Sequence, residues 1–123
     1  MVTMTDQVNI DGVLYIRADS VNMPAASKDG MQYVIVRSGQ AGVFAGYLAE
    51  HVGDTVHLLE SRRIYYWAGA ATLSQLANDG TSKPDTCKFP APLPEHTILG
   101  VCEIIPTSEK ARLSIAGVKV WAE

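Results

Sequence analysis

The sequence predicts an α+β fold, a small antiparallel β-meander or partial barrel with one short central helix and a C-terminal helical segment. The chain has 123 residues, 47% of them hydrophobic, which suits one compact domain. From residue 32 onward, short β-type runs alternate with Gly- and Asp-containing turns, and short turns join antiparallel neighbours. One capped segment with an apolar stripe interrupts these runs.

The N-terminal part is expected to be separate from the domain. We predict a strand or arm and a linker over residues 1–30, and a single compact β-rich domain over residues 31–123. Residues 13–17 form a β-type run after an Asp-Gly turn signal and are interpreted as an isolated strand or arm. Residues 22–30 are rich in small and turn residues, and Pro24 disfavours helix before it, as in a linker.

Three strands are predicted next, over residues 32–37, 43–50 and 55–59. The first is apolar on both faces, which is typical of a strand that is covered on two sides. Gly46 lies inside the second, where glycine indicates a bulge, a bend or a close backbone approach. Alternation puts His57 of the third strand on the face opposite its apolar neighbours, so we expect it to face solvent or a neighbouring strand.

Strong β formers continue over residues 62–67, and the small residues 68–71 end the pattern. The short central helix follows. Thr72 and Gln75 fit a capping box, in which the Thr72 hydroxyl accepts from the Gln75 amide and the Gln75 side chain reaches the Thr72 amide. Gly80 is the predicted end of this helix.

The remaining third of the chain is predicted as a loop, a strand and a helix. Residues 81–94 include several prolines, which favour an extended surface loop outside any central strand. Residues 98–105 are the predicted fourth strand of the domain. Ser108 is suited to cap a final helical segment that Gly117 ends, and residues 118–123 are compatible with an added edge strand.

Charge and composition exclude several classes of protein. The net charge of −3 argues against binding to duplex nucleic acid. Cys87 and Cys102 show no metal-ligand spacing, so no metal and no cofactor are expected. The sequence has neither a signal-peptide pattern nor an apolar run of about 20 residues. We therefore expect a soluble protein of a reducing cytoplasm that does not contact membranes.

A dense group of arginine and aromatic residues is the best candidate for a ligand site. Aromatic faces stack bases at about 1–3 kcal/mol each, guanidinium groups bind phosphates, and a helix N-terminus accepts an anion. The small residues 68–71 would let a ligand approach the backbone. The predicted ligand-binding residues are Arg62, Arg63, Tyr65, Trp67, Thr72, Ser74, Gln75 and Lys88.

The same aromatic residues also have a structural interpretation. In a strand, Ile64 and Tyr66 point one way and Tyr65 and Trp67 the other, so one set is expected in the core or in a subunit interface. No catalytic residue is predicted: the histidines fall in no triad pattern and the carboxylates lie mostly at turns. We therefore do not expect an enzyme.

Several runs of the sequence resemble a family of small, uncharacterised bacteriophage and prophage proteins. The likeness covers residues 31–116 and rests on residues 33–37, 41–46, 62–77, 87–90 and 103–106. It implies a viral accessory protein with a compact β-rich fold, and it supplies no catalytic residues. Residues 12–20 resemble an N-terminal extension that only some relatives carry.

Two functions are kept open, with a third as a weaker alternative. The first is a non-enzymatic homo-oligomer in the host cytoplasm that sequesters a small nucleotide signal of host defence, with the predicted residues around the ligand. The second is a structural protein of the virion, a capsid-decorating or head-associated subunit whose aromatic residues form interfaces. The third is an inhibitor that binds a host enzyme.

Overall fold

The computed structural model describes the backbone of residues 7–10 and 13–16, and residues 23–123 in full. Near the N-terminus, strands β1 (Gln7–Ile10) and β2 (Val13–Ile16) pair antiparallel. Residues 13–16 of the predicted strand or arm are therefore paired and not isolated, while the arm itself stays a prediction; residue 17 lies outside the described residues.

The main sheet has five strands in the order β6-β5-β4-β3-β7, and all neighbours are antiparallel. The strands are β3 (Tyr33–Ser38), β4 (Gly42–Val52), β5 (Thr55–Arg63), β6 (Leu93–Ile98) and β7 (Val101–Pro106). Strands β3 to β5 form the predicted meander. Together with two helices the sheet confirms the predicted α+β class.

The sheet is strongly curled. Its outer strands β6 and β7 are joined by only Leu99 and Gly100. In a flat sheet these strands would lie four spacings apart, about 19 Å, whereas the three residue steps from Ile98 to Val101 span at most about 11 Å. The two edges therefore converge at this end, where the Val101 amide also donates to the Asp54 carbonyl.

Each face of the sheet carries its own core, as period-two alternation requires. The concave face buries an apolar cluster: Val34, Val36, Phe44, Val56, Leu58 and Ile98. The convex face is covered by helices α1 (Leu73–Asp79) and α2 (Glu109–Gly117). Its cluster includes Tyr33, Ile35, Tyr47, Leu76, Phe89 and Ile115. Burial on both faces agrees with the apolar character predicted for residues 32–37.

Local signals account for the helix ends. Thr72 and Ser108 are the N-caps of α1 and α2, and their hydroxyls accept from the Gln75 and Ala111 amides. Gly80, with a φ of 74°, ends α1 and donates its amide to the Leu76 carbonyl. These caps were predicted from the sequence.

Three regions differ from the prediction. Residues 98–105 are not one strand, because the chain reverses at Gly100, whose φ of 68° favours glycine. Leu93 and Pro94 belong to edge strand β6 and not to a loop. At the C-terminal end, Val120 makes one bridge to Phe89 in place of a strand.

The segment before β3, which we interpreted as a linker, contacts the domain from residue 23 onward. Ala25 is buried and donates its amide to the Thr107 carbonyl at 3.0 Å, and the Glu109 amide donates to the Met23 carbonyl at 2.7 Å. Lys28 and Met31 pair across a tight turn. This segment therefore helps to hold the start of α2.

Candidate functional site: an aromatic platform and a cleft

A β-bulge near the end of β5 decides where the two predicted arginines lie. Between the pairs Tyr47–Leu59 and Ala45–Arg62, strand β5 has one residue more than β4. Glu60 occupies the bulge with a φ of 52°, a left-handed conformation that is uncommon for a residue with a side chain. The extra residue exchanges the faces of the positions after it, and Arg62 is turned onto the convex face, against α2.

Arg62 is a buried structural residue. Its guanidinium donates to the carbonyls of Ile115 (2.7 Å), Ala116 (3.4 Å), Pro90 (3.1 Å) and Phe89 (3.3 Å), and only 4% of the residue is exposed. Two of these carbonyls belong to the C-terminal end of α2, where a cation is favourable. Burial lowers the pKa of the guanidinium. The predicted phosphate contact by Arg62 is therefore not supported.

Arg63 points to the other side of the sheet. Its Nη1 donates to the Ala41 carbonyl at 2.7 Å, and its guanidinium lies 4.5 Å from the centre of the Phe44 ring. The side chain is exposed, but it is separated from Arg62 by the sheet itself. The two arginines that were predicted to act on one ligand thus belong to different surfaces.

Thr72, Ser74 and Gln75 do not form an anion site at the start of α1. The Thr72 hydroxyl accepts from the Gln75 amide at 3.1 Å, and Gln75 Oε1 accepts from the Ala71 amide at 2.8 Å. The predicted bond of the Gln75 side chain to the Thr72 amide is replaced by this bond to the residue before it. Ser74 is exposed on a helix of only seven residues. The side chains of Thr72 and Gln75 thus already bind the amides of Gln75 and Ala71 at the start of the helix.

The small residues 68–71 are approached by the protein's own backbone. Gly69 has a φ of 82°, and a Cβ atom there would lie 2.5 Å from the Lys83 amide nitrogen and 2.6 Å from Thr81 Oγ1. The Ser82 amide donates to the Gly69 carbonyl. Trp67 is half-buried against the convex core, and its indole N–H donates to the Ala70 carbonyl at 3.2 Å. This space is therefore occupied by residues 81–83, and not open to a ligand.

Tyr65 and Lys88, two of the predicted residues, do lie together on an exposed surface. With Tyr66 and Trp121 they form what we call the aromatic platform. Tyr65 stacks on Trp121 with ring centres 5.2 Å apart and an interplanar angle of 7°. Lys88 Nζ lies 5.8 Å from the centre of the Tyr66 ring and 5.6 Å from that of Trp121. Tyr65 is 63% exposed and Trp121 37%, so both rings are accessible.

Backbone hydrogen bonds hold the platform in place. The Tyr66 and Lys88 backbones exchange two bonds, of 3.2 and 2.8 Å, and the Trp121 amide donates to the Phe89 carbonyl at 3.0 Å. A hollow of about 390 Å³ adjoins Trp121, with Lys119 on its wall. Of the platform residues, Trp121 alone lines this hollow, together with Lys119 and Asp85.

The larger concavity, which we call the cleft, was not predicted. It has a volume of about 410 Å³ and lies between the convex face, α2 and the residues at the start of β6. Arg62 is the only predicted residue on its wall. The residues that line it are Tyr33, Tyr47, Glu60, Arg62, Pro92, Leu93, Pro94, Arg112 and Ala116.

Two ion pairs and an aromatic contact lie at the cleft, and each ion pair joins one lining residue, Glu60 or Arg112, to a residue beside the cleft. Lys28 pairs with Glu60, and Arg112 binds Glu109 through Nε at 2.9 Å and Nη2 at 2.5 Å. Arg112 and the Ala26 amide lower the pKa of Glu109 to about 2. Beside them, the rings of Tyr33 and Tyr47 meet edge to face at 5.0 Å.

A serine–histidine contact exists but lacks the features of a nucleophilic site. Ser61 Oγ lies 3.2 Å from His96 Nδ1, and His96 also meets the edge of the Phe44 ring. Ser61 is 1% exposed, so a substrate could not reach its hydroxyl. Burial, and secondarily Arg63, lowers the pKa of His96. We assign this pair to packing. His57 contacts Thr97 and Glu95 on β6, as predicted for a strand histidine facing a neighbour.

Taken together, the fold and the two concave surfaces define a small α+β domain built on a curled antiparallel sheet. The chain belongs to the family described as Domain of unknown function (DUF6948), which matches residues 31–115. No curated protein matches the chain, and no solved structure does. Within the residues that the structure describes, no helix is long and apolar enough to cross a membrane.

Proposed function

We propose that this protein is a non-enzymatic binding protein that sequesters a small nucleotide at the aromatic platform. The supporting observation is the exposed Tyr65–Trp121 stack with Lys88 beside it. A base extends such a stack through its π face at about 1–3 kcal/mol, and an ammonium group supplies a point charge for a phosphate.

The resemblance of the sequence to bacteriophage and prophage proteins supports a specific setting for this binding. In that setting the nucleotide is a signal of host defence, and the protein acts as a homo-oligomer in the host cytoplasm. Sequestration needs no reaction, and therefore only a stoichiometric supply of sites and slow release of the ligand. Light-scattering mass, combined with mass spectrometry of ligand released from the denatured protein, tests both parts.

A titration with ADP-ribose and with separate fragments of it tests the platform directly. In isothermal titration calorimetry, ADP-ribose should bind the protein, whereas ribose 5-phosphate, which lacks the base, should bind far more weakly. Trp121→Leu should weaken binding about ten-fold or more, since it removes one stacking face. Lys88→Gln should weaken the binding of ADP-ribose but leave the binding of adenosine, which has no phosphate, unchanged. Lys110→Gln is the matched control, because Lys110 is an exposed lysine on α2.

If no small molecule is released from the protein, and no thermal shift occurs across a panel of cyclic and ADP-ribose-type nucleotides, the platform is not a nucleotide site.

The second candidate is a structural protein of the virion. The observation that favours it is the exposed apolar character of the platform and its margin, where Tyr66 and Val120 are 48% and 47% exposed. Exposed tyrosine and tryptophan are enriched in protein interfaces. Proteomics of purified particles decides this point: a stoichiometric presence supports it, and absence removes it.

A further inference from the structure

The cleft has an excess of positive charge. Lys28 and Arg112 are each paired with a carboxylate, Glu60 and Glu109 respectively. Arg62 is bonded only to backbone carbonyls within the described part of the chain. Three cations and two carboxylates at or beside the cleft therefore leave one net positive charge in a chain whose total is −3. An occupant with one negative charge would balance it.

Hydrogen-bond donors are available at the same place. Tyr33 lines the cleft, and its hydroxyl has no hydrogen-bond partner among residues 23–123. Burial raises the pKa of this phenol, so it stays a donor. The Tyr47 hydroxyl accepts one long bond, of 3.4 Å, from Arg112 Nη1 and keeps its own proton to donate. Arg112 Nη1 has no other partner within residues 23–123. Two phenols and one guanidinium edge can thus serve an acceptor with two oxygens.

The other lining residues of the cleft are apolar: Pro92, Leu93 and Pro94 around the start of β6, and Ala116 on α2. Leu93 is 48% exposed, which leaves its surface free to cover a ligand. A cleft with a few polar groups at one end and apolar side chains at the other is the usual form of a small-molecule site. The volume of about 410 Å³ lies within the range of such sites.

From this arrangement we infer that the cleft binds a small monocarboxylic acid with an apolar body. The carboxylate accepts hydrogen bonds from Tyr33, Tyr47 and Arg112, and the body lies against Leu93 and the flanking prolines. A monoanion suits the single excess charge, whereas the Glu60 carboxylate beside the site disfavours a phosphate dianion. This site is separate from the aromatic platform, so its ligand adds to the proposed function.

The test is an NMR titration of the ¹⁵N-labelled full chain with hexanoate, and with hexanamide as its neutral counterpart. Hexanoate should shift the amide signals of Tyr33, Leu93 and Arg112 in a saturable way. Hexanamide should bind about ten-fold more weakly or not at all, because it lacks the charge.

Matched variants assign the effect to named donors. Tyr47→Phe keeps the ring against Tyr33 and removes one hydroxyl, and should weaken hexanoate binding about five-fold. Ser74→Ala, which removes an exposed hydroxyl of α1 outside the cleft, should leave it unchanged. Arg112→Gln should reduce binding more than Tyr47→Phe does, with its amide spectrum checked for folding; if it fails to fold, Tyr47→Phe decides.

Any of three results would overturn the inference. They are the absence of saturable shifts with hexanoate up to about 10 mM, equal binding of hexanoate and hexanamide, and shifts centred on Tyr65, Lys88 and Trp121. None of them excludes nucleotide binding at the platform, so the failure of this inference leaves the proposed function standing.

Discussion

The aromatic platform follows directly after β5 and the cleft contains residues of β5 itself, yet the two surfaces are built in opposite ways. On the platform, rings and an ammonium group touch through their faces and carry few side-chain hydrogen bonds. In the cleft, the charged side chains are bound to partners within the fold. The comparison teaches that the contacts a side chain makes within the fold decide what it can offer a ligand: ring faces on the platform, and the remaining N–H and O–H groups in the cleft.

The largest expected effect distinguishes the two adjacent arginines. Arg62→Met should lower the free energy of unfolding by about 4 kcal/mol, because buried carbonyls at the end of α2 lose their donor. Arg63→Met removes one exposed hydrogen bond and a ring contact, and should lower the free energy of unfolding by less than about 1 kcal/mol. Urea unfolding measures both. Similar losses for the two variants would contradict the assignment of Arg62 to the fold.

The next effect concerns the loop that leads into the platform. Gly69→Ala should lower the free energy of unfolding by about 2 kcal/mol. The new methyl group meets atoms of residues 81–83, and the positive φ of residue 69 is unfavourable for alanine. Gly39→Ala is the control, because a Cβ atom there meets nothing within 4 Å. Thermal unfolding reports the difference, and equal midpoints for the two variants would show that residues 81–83 do not press on Gly69.

Lowering the pH should remove stabilising interactions at the cleft before it removes any at the platform. Arg112 and the Ala26 amide lower the pKa of Glu109 from 4.5 to about 2 in the folded state. The ionised Glu109 carboxylate therefore stabilises the folded state fully above pH 4.5, and this stabilisation is lost as the pH falls toward 2. Glu109→Gln should flatten this part of the profile of urea midpoint against pH. Glu50→Gln, at an exposed position of β4, should leave it unchanged; an unaltered profile in Glu109→Gln would exclude the ion pair as its cause.

The smallest effect is expected on the platform itself. Tyr65→Ala removes the ring that covers one face of Trp121 and should lower stability by about 0.5–1 kcal/mol. Iodide should then quench Trp121 more strongly. Ser74→Ala, an exposed position on α1, is the control. Unchanged quenching in Tyr65→Ala would show that the two rings do not stack in solution.

Signals that act within a few residues were readable from the sequence. The caps at Thr72 and Ser108, the turn after β3 and the close approach at Gly46 follow from local chemistry; a Cβ atom at Gly46 would lie 2.9 Å from the Leu59 carbonyl oxygen. The meander follows from alternation and short turns. These features need no knowledge of the distant parts of the chain.

The candidate sites depended on contacts that no local pattern contains. The bulge at Glu60 turns Arg62 toward α2, and nothing in the identity of a glutamate predicts a left-handed conformation there. Trp121 meets Tyr65 only because the C-terminal segment binds Phe89. Tyr47 and Arg112 are 65 positions apart, so their contact in the cleft is visible only in three dimensions.

The two-residue turn at Leu99 and Gly100 has a consequence for how copies of the chain can associate. Exposed sheet edges are templates for strand addition and aggregation. Here the outer strands converge at the turn, and where they diverge each carries a proline, Pro94 or Pro106, which lacks the N–H that a new strand would need. We expect any assembly of this protein to be built through side-chain surfaces and not through a continuous intermolecular sheet.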